Sequence, residues 1–245
     1  MMGKVVSCKM NIKIFNTAKQ VSNELSSYII SKYILRGKNI AISGGSTPIT
    51  LFKEISKKLK KTEKIESNFY WIDERCVLPK SKESNFKIAN NYLFNKINID
   101  KKNIYRIKGE NNPKDEQRRY TEILKNNLES INKLPSIDLS ILGIGNDGHT
   151  ASIFPYQMKK FIDCNSCFVG THPESKQKRI SLSKNIINNS SEIIFHVTGK
   201  NKSDVVDQII NERGDYKSYP ASYIKPSFGK LSWYLDFDAA KNLTK

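Results

Sequence analysis

Apolar residues along this chain follow two alternating patterns, one typical of amphipathic helices and one typical of buried strands. Between Thr17 and Leu35 they recur at three- and four-residue spacing, which predicts a helix that Gly37 ends. A short apolar run from Asn39 to Ser43 then predicts a strand. After a glycine turn, helical spacing returns at Leu51, Phe52, Ile55 and Leu59. Strand, turn and helix therefore form the repeating unit of the prediction.

The same unit recurs towards the end of the chain. Further apolar runs predict strands at residues 69–72, 104–107, 137–145, 193–199 and 231–237. Helical patterns lie between them, one of them carried by Tyr120, Ile123, Leu124, Leu128 and Ile131. Strands that alternate with helices predict an α/β fold: a mostly parallel, doubly wound, Rossmann-like sheet with helices on both faces.

Length and composition favour one domain for residues 1–245. A chain of 245 residues, 38% of them hydrophobic, can bury one sizeable core. It contains no internal repeat, low-complexity tract or long linker. It also lacks a run of about 18 apolar residues that would span a membrane, and its first residues lack an apolar leader. We therefore expect a single-domain cytoplasmic protein that does not bind membranes, and we expect a monomer.

The cysteines indicate neither a disulfide framework nor a metal site. The chain has four cysteines, Cys8, Cys76, Cys164 and Cys167. These are too few for a disulfide framework in a chain of this length, which fits a reducing compartment. Cys164 and Cys167 form a CxxC pair, but no second pair or neighbouring histidine completes a zinc site. Ordinary packing is the favoured interpretation, and we expect no metal and no cofactor.

The charge of the chain bears on the kind of partner. The formal net charge is +17, which raises nucleic acid or an anionic surface as partners. Only seven of the 41 basic residues are arginine, however, and the lysines are scattered along the whole chain. This pattern is typical of codon bias, so we expect no nucleic-acid binding and favour a small anionic substrate.

Four loops that follow predicted strands are rich in glycine, charge or hydroxyl groups: SGGSTP, DERCVLP, GIGNDGHTAS and VTGKNK. In open α/β sheets, ligands bind beyond the carboxyl ends of the strands. We therefore expect these loops to line one shared pocket.

The first of these loops has two interpretations. Gly44, Gly45, Ser46 and Thr47 stand between a strand and a helix, where close backbone approach and the helix N-terminus suit a phosphate. An ordinary turn is the alternative, with Ser46 or Thr47 as the N-cap and Pro48 as the first helical residue. The second loop begins with Asp73, Glu74 and Arg75, for which a surface salt bridge is the alternative to a functional role.

The three histidines are predicted to differ in role. His149 lies on a tight, glycine-rich loop, where an imidazole suits a general base that activates water, and Asp147 is close enough to orient it. His172 precedes a proline in a loop. His196 falls within an apolar strand, where a packed, hydrogen-bonded imidazole is favoured. Two cations on strand-end segments, Arg179 and Lys202, suit a phosphate dianion.

Taken together and in this order, six motifs resemble the 6-phosphogluconolactonase family. They are ISGGSTP, WIDER followed by SN, LGIGNDGHTASIFP, HP followed by RISLS, VTGKNK, and YPAS, and they extend from about Ala41 to Ser222. The resemblance implies that Gly44, Gly45, Ser46, Thr47, Arg179 and Lys202 hold a sugar phosphate. It also implies that His149 activates the attacking water and that Asp73 and Arg75 line the same pocket. Cys76, where the family often has tryptophan, and Tyr156, where it often has glycine, depart from the pattern and put loop shape in question.

The implied reaction is hydrolysis of 6-phospho-D-glucono-1,5-lactone, with backbone amides or Arg75 as donors to the oxyanion. Two alternatives remain. Glucosamine-6-phosphate deaminases share the GxTP and DGH loops but carry an acidic residue where this chain has Phe154, and an apolar side chain cannot transfer a proton. A non-catalytic phosphosugar-binding protein would not need His149.

Overall fold

The computed structural model describes residues 10–59, 61, 63–158 and 163–243. Cys8, one of the four cysteines, lies outside them. The helices are α1 (Ala18–Lys32), α2 (Thr47–Lys58), α3 (Asn85–Tyr92), α4 (Pro113–Asn127), α5 (Lys184–Asn188) and α6 (Ser203–Ile210). Short 3₁₀ segments lie at Ile34–Arg36, Phe94–Lys96, Lys101–Asn103, Pro155–Gln157, Lys200–Lys202, Tyr216–Ser218 and Pro220–Tyr223.

The main sheet has seven strands, and every neighbouring pair in it is parallel. Its spatial order is β1 (Met10–Phe15), β14 (Lys230–Asp236), β13 (Glu192–Val197), β10 (Leu139–Leu142), β2 (Asn39–Ile42), β4 (Asn68–Trp71) and β7 (Ile104–Tyr105). The predicted α/β fold with a mostly parallel sheet is therefore confirmed. Because all seven strands run the same way, their carboxyl ends gather at one edge.

The remaining strands form smaller sheets. An antiparallel three-stranded sheet has the order β11 (Phe168–Thr171), β12 (Lys178–Ser181) and β5 (Asp73–Arg75). The two-residue pairs are β3 (Lys64–Ile65) with β6 (Asn98–Ile99), and β8 (Ser130–Ile131) with β9 (Leu134–Pro135). Asp73–Arg75 is thus a strand, not the start of a loop, because the backbone N–H of Leu182 bonds to Ile72 O and that of Cys76 to Lys178 O on either side of it.

One helix is shorter than its apolar pattern predicts. α4 ends at Asn127, and Ile131 lies in the β8–β9 hairpin instead. Asn132 and Lys133 connect the two strands with φ angles of 52° and 63°. Two consecutive residues with positive φ suit a tight hairpin turn and cannot continue a helix.

The core forms one continuous cluster of buried apolar side chains. It includes Ile40, Phe69, Ile141, Phe195 and Trp233, which come from five strands of the main sheet and are each at most 4% exposed. Close packing on this scale holds the strand ends as a stiff platform for the loops that follow them. Among the helices that the structure describes, none has the length and apolarity needed to cross a bilayer.

Candidate active site

A cavity of about 510 Å³ opens at the carboxyl edge of the main sheet. Loops from β2, β10 and β13 meet there with the strands β5 and β12. Nine of the ten residues predicted to form the site line this cavity: Gly44, Gly45, Ser46, Thr47, Asp73, Arg75, His149, Arg179 and Lys202. The tenth, Asp147, is hydrogen-bonded to the ring of His149. The structure therefore brings together residues that are up to 158 positions apart in the sequence.

The glycine turn leaves the start of α2 open to the cavity. α2 begins at Thr47, Pro48 is its second residue, and the N-cap Ser46 makes no capping hydrogen bond through its side chain. Ser46 is therefore the N-cap, as the alternative interpretation expected, but Pro48 is the second helical residue rather than the first. Gly45 adopts a φ of +99°, which favours glycine. The uncapped positive end of the α2 dipole borders the cavity, as an anion site requires.

His149 is held by Asp147 in a tight turn. Its Nδ1 lies 2.6 Å from Asp147 Oδ1, and its backbone N–H donates to the same oxygen over 3.2 Å. The turn is closed by hydrogen bonds from Gly145 N to His149 O and from Gly148 N to Gly145 O. Since Nδ1 is engaged by Asp147, Nε2 is the ring nitrogen left for chemistry in the cavity.

The pair is also coupled electrostatically. Burial tends to raise the pKa of Asp147, but the hydrogen bonds and the charge of His149 outweigh it, so the net effect is a lowered pKa. Asp147 therefore stays ionised at neutral pH, and an ionised carboxylate stabilises an imidazolium that forms beside it.

Phe154 connects the histidine to a cation of the cavity. Its fully buried ring lies 5.0 Å from the ring of His149, and the guanidinium of Arg179 lies over it at 5.5 Å. His172 packs edge-on against the same ring at 5.3 Å. Phe154 was noted in the sequence only as a missing acid, whereas the structure makes it a shared support for His149 and Arg179.

Asp73 is fixed by two residues that sequence reasoning did not single out as functional. Its Oδ2 accepts a hydrogen bond from Ser152 Oγ at 2.6 Å. Asn85 Nδ2 donates to the backbone oxygen of Asp73 at 2.9 Å and to its Oδ1 at 3.3 Å. Both lie in quoted motifs, SN and GHTAS, but spacing alone gives no sign that they meet Asp73.

Arg75 and Arg179 stand side by side on neighbouring antiparallel strands. An Nη of Arg75 donates to Glu83 O at 2.5 Å, while the Nε atoms of both arginines are buried without a partner among the described residues. Burial lowers the pKa of Arg179, Asp73 raises it, and Arg75 lowers it further. Two adjacent cations with unused donors favour binding of an anion.

Glu74 caps α3 and also accepts from the backbone N–H of Arg75. Its carboxylate accepts from the backbone N–H groups of Asn85 and Phe86 at 2.8 and 2.7 Å and from Ser84 Oγ at 3.1 Å. Burial raises the pKa of Glu74 to about 7, although these backbone donors act against the rise. The surface salt bridge considered for the DER segment is absent among the described residues.

Lys202 reaches the cavity from the loop after β13. Its Nζ donates to Asn146 Oδ1 at 2.5 Å, and Asn201 Nδ2 donates to the same oxygen at 3.0 Å. Burial lowers the pKa of Lys202, and the nearby charge of Asp147 opposes that effect. Asn146 carried no signal in the sequence beyond its place in the GIGNDGH loop.

His196 and His172 differ from His149. His196 is 2% exposed, as its strand predicts, but neither ring nitrogen has a hydrogen-bond partner among the described residues. The expectation of a hydrogen-bonded imidazole is therefore wrong for the described residues, although His196 is among the residues that line the cavity. His172 Nδ1 accepts from two backbone N–H groups within its own loop.

The other sulfur and aromatic positions are structural. Cys76, Cys164 and Cys167 are free thiols. Over the described ranges, no three His, Cys, Asp or Glu side chains converge in a way that would hold a metal ion. Of the two departures from the motif pattern, Cys76 is half-buried beside β12, and the exposed Tyr156 donates its hydroxyl hydrogen to Thr171 O.

Comparisons with known proteins find relatives and similar structures over nearly the whole chain. The family model for glucosamine-6-phosphate isomerases/6-phosphogluconolactonase matches residues 16–233. A protein of Haemophilus influenzae named 6-phosphogluconolactonase is 37% identical over 238 residues, which cover 96% of this chain and 100% of the relative. A crystal structure described as devB protein has a TM-score of 0.88 at 38% identity, over 96% of this chain and 100% of that chain. The structure of 6-phosphogluconolactonase from Trypanosoma brucei has a TM-score of 0.84 at 27% identity, over 97% and 100%.

Proposed function

The chain belongs to the family of glucosamine-6-phosphate isomerases and 6-phosphogluconolactonases, and on that premise we propose that it hydrolyses 6-phospho-D-glucono-1,5-lactone to 6-phosphogluconate. One observation carries the proposal. The imidazole of His149, held at 2.6 Å by Asp147, lines the same cavity as an uncapped helix N-terminus and three cationic side chains. This combination supplies a base for water and an anchor for a phosphate.

The phosphate of the substrate is assigned to the cationic side of the cavity. The phosphate is held by the backbone of Gly44 and Gly45, the hydroxyls of Ser46 and Thr47, and the side chains of Arg179 and Lys202. A dianion at this position is stabilised by the α2 dipole and by charge-assisted hydrogen bonds. These contacts to the phosphate orient the lactone so that its carbonyl carbon faces His149.

Hydrolysis then needs one base and no covalent intermediate. Nε2 of His149 removes a proton from water as the water oxygen bonds to the carbonyl carbon. The tetrahedral oxyanion accepts hydrogen bonds from Arg75 or from loop amides. When it collapses, the bond from carbon to the ring oxygen breaks, and the ring oxygen takes the proton back from His149. A well-placed general base of this kind contributes about 10² to 10⁴ in rate.

Asp147 and Asp73 have supporting roles in this scheme. Asp147 keeps the proton of the neutral imidazole on Nδ1, so that Nε2 is the basic nitrogen, and it stabilises the imidazolium that forms. Asp73, held by Ser152 and Asn85, offers a carboxylate that accepts from a substrate hydroxyl and balances the two arginines beside it.

Two alternative functions are less well supported. A deaminase needs a proton-transferring acid where this chain has Phe154, and that ring is fully buried against His149. A phosphosugar-binding protein without activity has no use for an imidazole oriented by a carboxylate inside the binding cavity. Amine chemistry and simple binding therefore leave more of the site unexplained than ester hydrolysis does.

We also propose that the enzyme is one domain that works as a cytoplasmic monomer, without nucleic acid. Every residue assigned to the site comes from one chain, and the thiols described are free, as in a reducing compartment. The excess lysines are dispersed along the sequence rather than clustered.

One assay tests the activity. Purified protein should accelerate acid release from freshly prepared 6-phosphogluconolactone above the spontaneous rate and should leave glucosamine 6-phosphate unchanged. Ammonia release from glucosamine 6-phosphate would favour the deaminase alternative. Tight binding of 6-phosphogluconate without lactone turnover would favour the binding protein.

A further inference from the structure

The side chain of Asn146 joins two loops of the cavity. Its Oδ1 accepts hydrogen bonds from Lys202 Nζ at 2.5 Å and from Asn201 Nδ2 at 3.0 Å. Asn146 belongs to the loop after β10, and its two donors belong to the loop after β13, more than 50 residues later. Asn201 and Lys202 both line the cavity, whereas Asn146 lies at its exposed rim.

Lys202 needs such an anchor to serve as a fixed charge. A lysine ammonium sits on a flexible four-carbon stem, and ordering that stem costs conformational entropy. Among the described residues, the hydrogen bond recorded for the Lys202 ammonium is the one that Asn146 Oδ1 accepts. The bond to Asn146 therefore orders the lysine before the substrate arrives, which lowers the entropy lost on binding.

The chemical nature of the anchor also matters. An amide oxygen accepts from the ammonium without neutralising it, so the full positive charge stays available to an anion. A carboxylate at the same place would form an ion pair with Lys202 and compete with the phosphate of the substrate. An asparagine is thus suited to position a phosphate-binding lysine, and an aspartate is not.

We infer that Asn146 is a positioning residue that sets the enzyme's affinity for the phosphate group by holding Lys202 in the cavity. This rests on the proposed function, in which Lys202 binds the phosphate of the lactone. Asn146 neither contacts the reacting carbonyl nor replaces His149 or Asp147 in the chemistry.

Asn146 shares a turn with Asp147 and His149. The experiment must therefore separate its proposed role in holding Lys202 from a merely structural role in the turn. A substitution that only deforms the turn would move the base and lower kcat. A substitution that frees Lys202 would raise KM and weaken the competitive inhibition by inorganic phosphate, with kcat little changed. The split between KM and kcat is therefore the deciding readout.

The experiment compares Asn146→Asp, Asn146→Leu, Lys202→Met and the double variant Asn146→Leu/Lys202→Met. We expect each Asn146 variant to raise KM for 6-phosphogluconolactone and the Ki of inorganic phosphate by about tenfold, the scale of one hydrogen bond to a charged group. Because Asn146 acts through Lys202, the double variant should resemble Lys202→Met alone.

A matched control removes an exposed bond of the same kind elsewhere. Asn165 Oδ1 accepts from Asn185 Nδ2 at 2.7 Å, neither residue is among those that line the cavity, and Asn165→Leu should leave KM, kcat and Ki unchanged. An unchanged Ki in both Asn146 variants, a fall in kcat alone, or losses that multiply with Lys202→Met would overturn the inference. Failure of the wild-type protein to hydrolyse the lactone would instead refute the proposed function.

Discussion

The ring Nδ1 and the backbone N–H of His149 both form hydrogen bonds with the same carboxylate oxygen, Oδ1 of Asp147, at 2.6 and 3.2 Å. A spacing of only two residues makes this double contact possible, because the chain folds back in a tight turn with Gly148 at a φ of +74°. The backbone bond fixes the carboxylate, and the carboxylate in turn fixes the ring. His149 and the carboxylate that orients it are therefore built from one five-residue segment, 145–149.

The first prediction concerns this pair. His149→Ala should lower kcat for the lactone by about 10² to 10⁴, since the base is lost, while KM changes little because the phosphate contacts remain. Asp147→Asn should lower kcat as well, because an amide cannot hold the basic tautomer or stabilise the imidazolium. Initial rates corrected for spontaneous hydrolysis measure both effects. A His149→Ala enzyme with the wild-type kcat would refute the assignment.

The second prediction concerns Arg179, which is held against Phe154 and beside Arg75. Arg179→Ala should raise KM by about tenfold or more, since a charge-assisted contact to the phosphate is lost, and should affect kcat less. The control is Arg118→Ala, which removes an arginine whose side chain is 77% exposed and forms an ion pair with Asp115. The control should keep the wild-type KM; if both variants raise KM equally, the effect is one of net charge and not of a specific site.

The third prediction compares two glycines with similar backbone angles but different surroundings. Gly37 has a φ of +64° and open space around an added Cβ, whereas at Gly148 an added Cβ would lie 2.4 Å from the ring of Tyr219. Gly37→Ala should lower the free energy of unfolding by about 1 kcal/mol through backbone strain alone. Gly148→Ala should lower it further and also reduce kcat, because the His149 turn must shift. Urea unfolding and lactone assays of both variants check this, and equal losses with unchanged kcat would contradict it.

Local patterns were enough to predict six of the seven strands of the main sheet. The short apolar runs correspond to β2, β4, β7, β10, β13 and β14, and the loops after these strands carry the glycine turn and His149. The edge strand β1 was not predicted. These features depend on neighbours within a few residues, which periodicity and turn chemistry register directly.

The contacts that shape the site depend on distant parts of the chain and were not predictable in this way. Ser152 and Asp73 are 79 residues apart, and Asn146 and Lys202 are 56 apart. Arg75 and Arg179 become neighbours only because β5 pairs with β12, a strand pairing that no local pattern indicates. Strand register and side-chain networks follow from the assembled fold. The sequence alone could therefore place these residues at one edge of the sheet but could not predict which of them contact each other.

The last prediction concerns stability and pH at His196. Its side chain is buried without a hydrogen-bond partner among the described residues, and burial lowers its pKa to about 4. In the unfolded chain a histidine has its ordinary pKa of about 6.5. Between these two values the unfolded state binds a proton that the folded state does not. The stability linked to His196 is therefore present above pH 6.5 and is lost as the pH falls towards 4.

His196→Leu should remove this dependence, because leucine fits an apolar strand and does not titrate. The wild type should lose about 3 kcal/mol more than the variant between pH 7 and pH 4, since each pKa unit corresponds to about 1.4 kcal/mol. Urea unfolding of both proteins at several pH values in this range measures the difference, and all other titrating groups are common to the two. Parallel curves of stability against pH would mean that the imidazole is protonated in the folded protein and has found a partner.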